Sequence, residues 1–168
     1  AQIEYARAHG VPWGISEAAF NITDRYEIYQ YKSFGEPELG LKRGLTEDLV
    51  VAPYSSALAA MIHPAEAATN LRRLAKAGCM GRYGLYEAID FTPRETFKTT
   101  DGAPDRVAAG GVTVQAYFAH HPGMALVGLA NTLLGGLMVE RFHADARVQA
   151  TELLLQEQPV LQRLTRVL

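Results

Sequence analysis

The chain has 168 residues, enough for one ordinary domain, and 48% of them are hydrophobic, enough to bury a core. Sixteen basic and eighteen acidic residues, mixed along the sequence, leave a formal charge of -2, so no long-range field favours nucleic acid or an anionic membrane. A single cysteine, Cys79, excludes an internal disulfide framework and fits a reducing, cytoplasmic compartment.

The first residues, Ala1 to Arg7, read as the end of a helix and lack the basic start and apolar stretch of a signal peptide. With no initiator methionine, the chain is expected to be a piece of a longer polypeptide. Serines 55 and 56 read as caps of a short helix running to Ile62. A second helix starts at His63-Pro64, with Glu66 in its first turn, and ends with Arg72, Arg73 and Lys76 before Gly78. Its apolar face is Ala67, Ala68, Leu71, Leu74 and Ala75. The run from Pro122 to Leu134 is apolar nearly all round and reads as an inner helix. Short helices over Leu137 to Phe142 and Asp145 to Gln156 follow, the latter capped by Asp145 and stopped before Pro159. The apolar stretch from Met124 to Val139 is shorter than the roughly 20 residues that span a bilayer. Gly10 to Pro53 and Gly78 to Gln115 show little strand-like alternation and read as long structured loops, which are uncommon unless functional.

Those loops hold the chemistry. Glu17 follows Trp13 and Gly14 and precedes Phe20, which gives a carboxyl group an aromatic platform for a sugar face. Tyr29, Gln30, Tyr31, Lys42 and Arg43, with Asn21 and Asp24, supply hydrogen-bonding and stacking groups suited to hydroxyls. Glu87 lies among Tyr83, Tyr86, Ile89 and Asp90, where apolar neighbours would desolvate its charge, as a general acid requires. Two carboxyl groups are the minimum for glycoside cleavage, one protonating the leaving oxygen and the other serving as nucleophile or base. Each glutamate has a plain alternative: a carboxylate at a helix start for Glu17, a satisfied buried ion pair for Glu87.

His120-His121 is not expected to bind metal, because neighbours in extended chain point to opposite sides and no His-Glu-x-x-His spacing exists. One of the pair is expected to hydrogen-bond a substrate hydroxyl or a catalytic carboxylate, or else to be a satisfied core histidine. Gly14-Ile15-Ser16-Glu17-Ala18 lacks the strand and helix of a serine-hydrolase elbow, and the glycines at 35, 40 and 44 are too sparse to cradle a phosphate. No cofactor is expected.

Several segments together carry a resemblance: Val11-Pro12-Trp13-Gly14-Ile15-Ser16-Glu17, Tyr29-Gln30-Tyr31, Leu39-Gly40-Leu41-Lys42-Arg43-Gly44, Asp48 to Tyr54, Tyr83 to Asp90, Ala119 to Met124 and Arg141 to Asp145. Over nearly its whole length the chain resembles the glucoamylase-like domain of bacterial cyclic β-1,2-glucan synthases. The resemblance implies an all-α fold, residues 1–168 being the later portion of an (α/α)6 toroid with long active-site loops. Half a toroid would expose Val127, Leu129 and Leu133 and associate or need its missing helices. The implied activity is cyclisation of linear β-1,2-glucan by retaining transglycosylation, with an endo-β-1,2-glucan hydrolase or a non-catalytic glucan-binding fragment as alternatives. Glu17 and Glu87 match the places of the family's active-site carboxylates, with Glu87 the preferred acid/base. Trp13, Tyr29, Gln30, Tyr31, Lys42, Arg43, Tyr86, Asp90, His120 and His121 are the substrate-binding candidates. The implied partners are a β-1,2-glucan, the rest of the toroid and the other domains of a cytosol-facing, inner-membrane-associated synthase. Pro122, where glutamine is frequent, and the acidic Glu36-Pro37-Glu38 depart from the family pattern.

Overall fold

Proline decides where the central helices begin. In the computed structural model, which describes residues 1–37, 39, 44–92, 107–108 and 110–155, Pro53 and Pro64 each open a helix. Their fixed φ suits the first turn, where the missing N–H has no intrahelical partner to lose. The first helix, α1, spans Gln2–Ala8; α2 spans Pro53–Ala59 and α3 Pro64–Leu74. Thus α2 begins two residues before the serines expected to cap it. Ser55 instead hydrogen-bonds the carbonyls of Ala52 and Gly14, pinning the helix to the segment before Glu17. As its periodicity predicts, α3 buries Ala67 and Leu74 and leaves Arg72 and Arg73 outside. It runs into a π-helical turn, Ala75–Cys79, which Gly78 ends at a φ of 90° that a side chain would strain.

The expectation of an all-α fold is overturned between the helices. The segments read as long loops form eight short strands among the described residues, and the protein is mixed α and β. Strands β1 (Ala18–Thr23) and β2 (Tyr29–Lys32) pair antiparallel, with Ala19 opposite Tyr31 and an irregularity before Thr23. Strands β3 (Val50–Val51), β6 (Ala88–Asp90), β7 (Val107–Ala108) and β8 (Gly111–Val114) make an antiparallel sheet in the order β3-β6-β8-β7. Strands β4 (Met80–Gly81) and β5 (Gly84–Leu85) make a small hairpin. Strands β3 and β6 escape a search for alternation because they are short and buried throughout. Val50, Val51, Ala88, Ile89 and Asp90 are all buried, the continuous pattern of covered strands. The described residues do not form a ring of helical hairpins, and the toroid expectation is withdrawn with the all-α one.

The main core lies where β1 and the four-stranded sheet meet α2 and α3, with Phe20, Phe34, Leu74, Cys79, Ile89 and Val114 at its centre. Burial pushes the Cys79 thiol up to about 12, so it stays protonated and inert at neutral pH. A second cluster gathers Ala6, Val11, Trp13, Ala60 and Ala67. Beyond this body run α4 (His120–Leu133), α5 (Leu137–His143) and α6 (Ala146–Leu154), with Asp145 capping α6 through the N–H of Arg147. At Gly128 α4 passes so close to α2 that a Cβ would lie 3.1 Å from Leu58 Cδ2 and 3.3 Å from the Ala57 carbonyl. Only His121 and Gly128 of α4 are buried; the helix read as an inner one exposes Leu126, Val127 and Leu133. No single helix among the described residues is long and apolar enough to cross a membrane.

Candidate active site

Four chain segments converge on one hydrogen-bonded line. Glu17 lies immediately before β1, Tyr31 on β2, Glu87 immediately before β6, and His121 in the first turn of α4. Pairing of β1 with β2 brings Tyr31 beside the start of β1, and its hydroxyl donates to Glu17 Oε1 at 2.9 Å. The same oxygen is 3.2 Å from His121 Nε2 and 3.4 Å from His120 Nε2. On its other side His121 Nδ1 lies 2.8 Å and 3.0 Å from the two Glu87 oxygens. A carboxylate there accepts, so Nδ1 donates, and in the neutral ring Nε2 then carries a lone pair facing Tyr31.

The two carboxyl groups differ in setting. Glu87 is buried and Glu17 exposed. Glu87 Oε1 also accepts from the N–H of Ala19, while the Glu87 N–H donates to the Ala116 carbonyl. The partner imidazole is fixed in its plane by Tyr54, whose ring stacks on it at 3.8 Å and 11°. Tyr54 is fixed in turn at its hydroxyl, which lies 2.6 Å from Ser16 Oγ and 3.2 Å from the Glu17 carbonyl. Burial is the main cause of raised phenol pKa values at Tyr31 and Tyr54; at Tyr31 the hydrogen bond to Glu17 adds to it, and at Tyr54 the Ser16 contact opposes it. Both phenols therefore stay neutral, and Tyr31 retains the proton it donates.

A cavity of about 470 Å³ opens beside Glu87 and His121, within the size range of small-molecule sites. Tyr54, Tyr83, Tyr86 and Tyr117 contribute aromatic walls, and Leu126 and Leu129 of α4 an apolar one. Tyr117 meets Tyr83 edge-on with centroids 5.8 Å apart and Tyr86 tilted at 5.1 Å. Such faces suit the C–H side of a pyranose ring, and the carboxyl and imidazole suit its hydroxyls. A larger hollow of about 810 Å³, beside Gln2, Trp13, His63 and Glu66, contains no member of the carboxylate line. The chemistry, not the volume, selects the smaller one.

The sequence candidates divide accordingly. Glu17, Glu87, Tyr31, His120 and His121 come together, and Tyr86 lines the adjoining cavity. Trp13 is not an open platform beside Glu17. It is buried in the second cluster, and its backbone N–H and carbonyl bond the Asn70 amide at 3.1 and 2.6 Å. Tyr29 is half-buried against the main core, and Gln30 is exposed with a 3.5 Å contact to the Ile28 carbonyl. Asp90 accepts from the backbone N–H of Asn21 and Thr92, tying β6 to β1. Lys42 and Arg43 lie outside the described residues. The premise used for the histidine pair also fails. His120 and His121 open a helix and are not in extended chain, so they sit on neighbouring sides with rings 4.0 Å apart and both Nε2 atoms toward Tyr31. Sequence reasoning missed Tyr54 and Tyr117 as site residues. Only the aromatic flank Tyr117-Phe118 before the histidines could have signalled one of them.

Residues 2–146 match the family described as "Putative glucoamylase". The chain is 48% identical over 156 residues to the cyclic beta-(1,2)-glucan synthase NdvB of Rhizobium meliloti (strain 1021), an alignment covering 93% of this chain and 5% of that protein. The chain thus spans about one-twentieth of the length of the relative it matches. With most of its length matched in both comparisons, the chain belongs to the glucoamylase-like family.

Proposed function

We propose that this chain is part of a larger carbohydrate-active domain that cleaves and re-forms β-1,2-glucosidic bonds, cyclising linear β-1,2-glucan by retaining transglycosylation. The observation that carries the reading is the line Glu87–His121–Tyr31–Glu17, which ties two carboxyl groups from distant segments to one site beside an aromatic cavity. The name of the relative supports the substrate class, and its length supports further domains in the parent protein, which we place at the cytosolic side of a membrane-associated synthase.

Two carboxyl groups in unlike environments suit unlike roles. Glu17 is exposed and meets a hydroxyl donor, so it can approach a glycosidic oxygen without disturbing the core. Glu87 is held by His121 and a backbone N–H, an arrangement that orients a nucleophile. We therefore assign Glu17 as acid/base and Glu87 as nucleophile, the reverse of the preference drawn from sequence. Glu87 would bond to C1 as Glu17 gives its proton to the departing oxygen. In the second half Glu17 would take the proton of the chain's own terminal-sugar hydroxyl as that oxygen displaces Glu87 from C1.

Mass spectrometry of products from linear β-1,2-glucan tests the reaction, using the parent protein and its Glu87→Gln variant. Products lighter by one water, lost in the variant with a rate fall on the order of 10³-fold or more, are expected. Shorter linear products would make the parent a hydrolase, and untouched glucan would leave only binding. Azide rescue tests the roles: with Glu17→Ala it should yield a glucosyl azide of retained configuration, and an inverted adduct from that variant would return the acid/base role to Glu87.

A further inference from the structure

The hydroxyl of Tyr31 donates its one hydrogen to Glu17 Oε1 at 2.9 Å and has two imidazole nitrogens beside it, His121 Nε2 at 3.2 Å and His120 Nε2 at 3.4 Å. His121 Nδ1 donates to Glu87, so in the neutral ring its Nε2 offers a lone pair. With both rings neutral and His120 in the same tautomer, this pocket gathers more lone pairs than hydrogens, which is the condition of a cation site. One ligand atom from each of Glu17, His120 and His121 lies within 4.8 Å of the others.

We infer that Glu17, His120 and His121, capped by the Tyr31 hydroxyl, form a binding site for a divalent transition-metal ion of the zinc type. Zinc bonds of about 2.0–2.1 Å to nitrogen and oxygen put tetrahedral ligand atoms roughly 3.3–3.4 Å apart. The three distances from Tyr31 Oη already bracket that spacing. Glu17 and His120 are exposed, so their side chains can close the remaining gap, while His121 is buried and stacked on Tyr54 and supplies the fixed point. Glu87 completes the arrangement from behind. A carboxylate that accepts from the far nitrogen of a metal-binding histidine sets its tautomer and raises its basicity. Two imidazoles and a carboxylate favour zinc, cobalt or nickel over calcium or magnesium, which take oxygen. This inference does not rest on the glucan reading, since it concerns metal binding with no sugar present.

The test is a titration of chelator-treated protein with Co²⁺ alone, followed by visible absorption, then with Zn²⁺ by calorimetry. One Co²⁺ per chain with the intense band of four-coordinate cobalt, displaced by Zn²⁺, is expected. Glu17→Gln and His120→Ala, at exposed positions that keep the metal-free melting temperature, should abolish that band, and Glu87→Gln should weaken affinity about 10- to 100-fold. Absence of binding, or the pale spectrum of six-coordinate cobalt, would overturn the inference. So would a band that survives both ligand variants but disappears with His143→Ala, since His143 and Glu152 form a second exposed imidazole–carboxylate pair on α5 and α6.

Discussion

The body built on the four-stranded sheet and the arm built from α4 to α6 use apolar residues in opposite ways. In the body Leu74, Ile89, Val50, Val51 and Val114 are fully enclosed, and buried polar groups such as Glu87 and Asn70 have designated partners. In the arm Leu126, Leu133 and Phe142 are 70%, 82% and 62% exposed, and α5 and α6 bury no residue at all. The arm joins the body chiefly where His121 faces Glu87 and where Gly128 lets α4 approach α2. One lesson is that the fold invests its packing where the carboxyl groups must be held. A hydrophobic sequence, by itself, does not say whether a helix is packed on this body.

The largest change should come from the junction. Replacing His121 by alanine removes the only side chain that hydrogen-bonds Glu87 among the described residues and leaves a carboxylate beneath the surface without it. Leaving a buried charged group without its hydrogen-bonding side chain costs its desolvation penalty, about 3 kcal/mol or more. Urea unfolding should show that loss for His121→Ala and a smaller one for the double variant His121→Ala, Glu87→Gln, because the second change removes the stranded charge. Equal losses in the two would mean that the coupling is not electrostatic and that the junction is ordinary packing.

Next in size is the body's apolar centre. Leu74 is completely buried between the end of α3 and the sheet, so Leu74→Ala should cost about 2–5 kcal/mol, read as a lower denaturant midpoint at unchanged slope. Asn70→Ala should cost less, about 1–3 kcal/mol, by stripping the buried Trp13 N–H of its partner. The Trp13 carbonyl keeps a 3.4 Å contact to Ser56 Oγ, which limits the damage. Tryptophan fluorescence during unfolding would separate a local loosening around Trp13 from a global loss.

These residues also mark how far the sequence could be read. The helix from Pro64 was legible because proline, Glu66, the Ala67–Leu71–Leu74 stripe and Gly78 all speak locally. So were Asp145 as a cap and Glu17 and Glu87 as a pair worth attention. Strands β3 and β6 were not, since two- and three-residue pieces buried throughout carry no alternation, and they pair with each other far along the chain. Trp13 was misjudged for the same reason. An aromatic ring beside a glutamate looks like a platform until Asn70, fifty-seven residues later, proves to hold its backbone inside a core. The relative orientation of the histidine pair was misjudged because the helix starts two residues before the proline at 122, which turned two opposed side chains into neighbours.

The smallest effect belongs to the arm and gives the comparison its sharpest edge. Leu133 projects from the last turn of α4 with 82% of its surface in solvent, so Leu133→Gln removes almost no buried apolar area. Its effect on unfolding free energy should stay within about 0.5 kcal/mol, the range of surface substitutions, while Leu74→Ala costs several times more. A loss above 2 kcal/mol at Leu133 would mean that this face is covered in solution. Sedimentation at two protein concentrations would then show what covers it. Concentration-dependent mass would identify a second copy of the chain, and unchanged mass would mean that the arm folds back onto the body. If the effect is small, the exposed leucines contribute nothing to this chain's stability, and the base of α4 is held where His121 meets Glu87 and Tyr54 and where Gly128 meets α2.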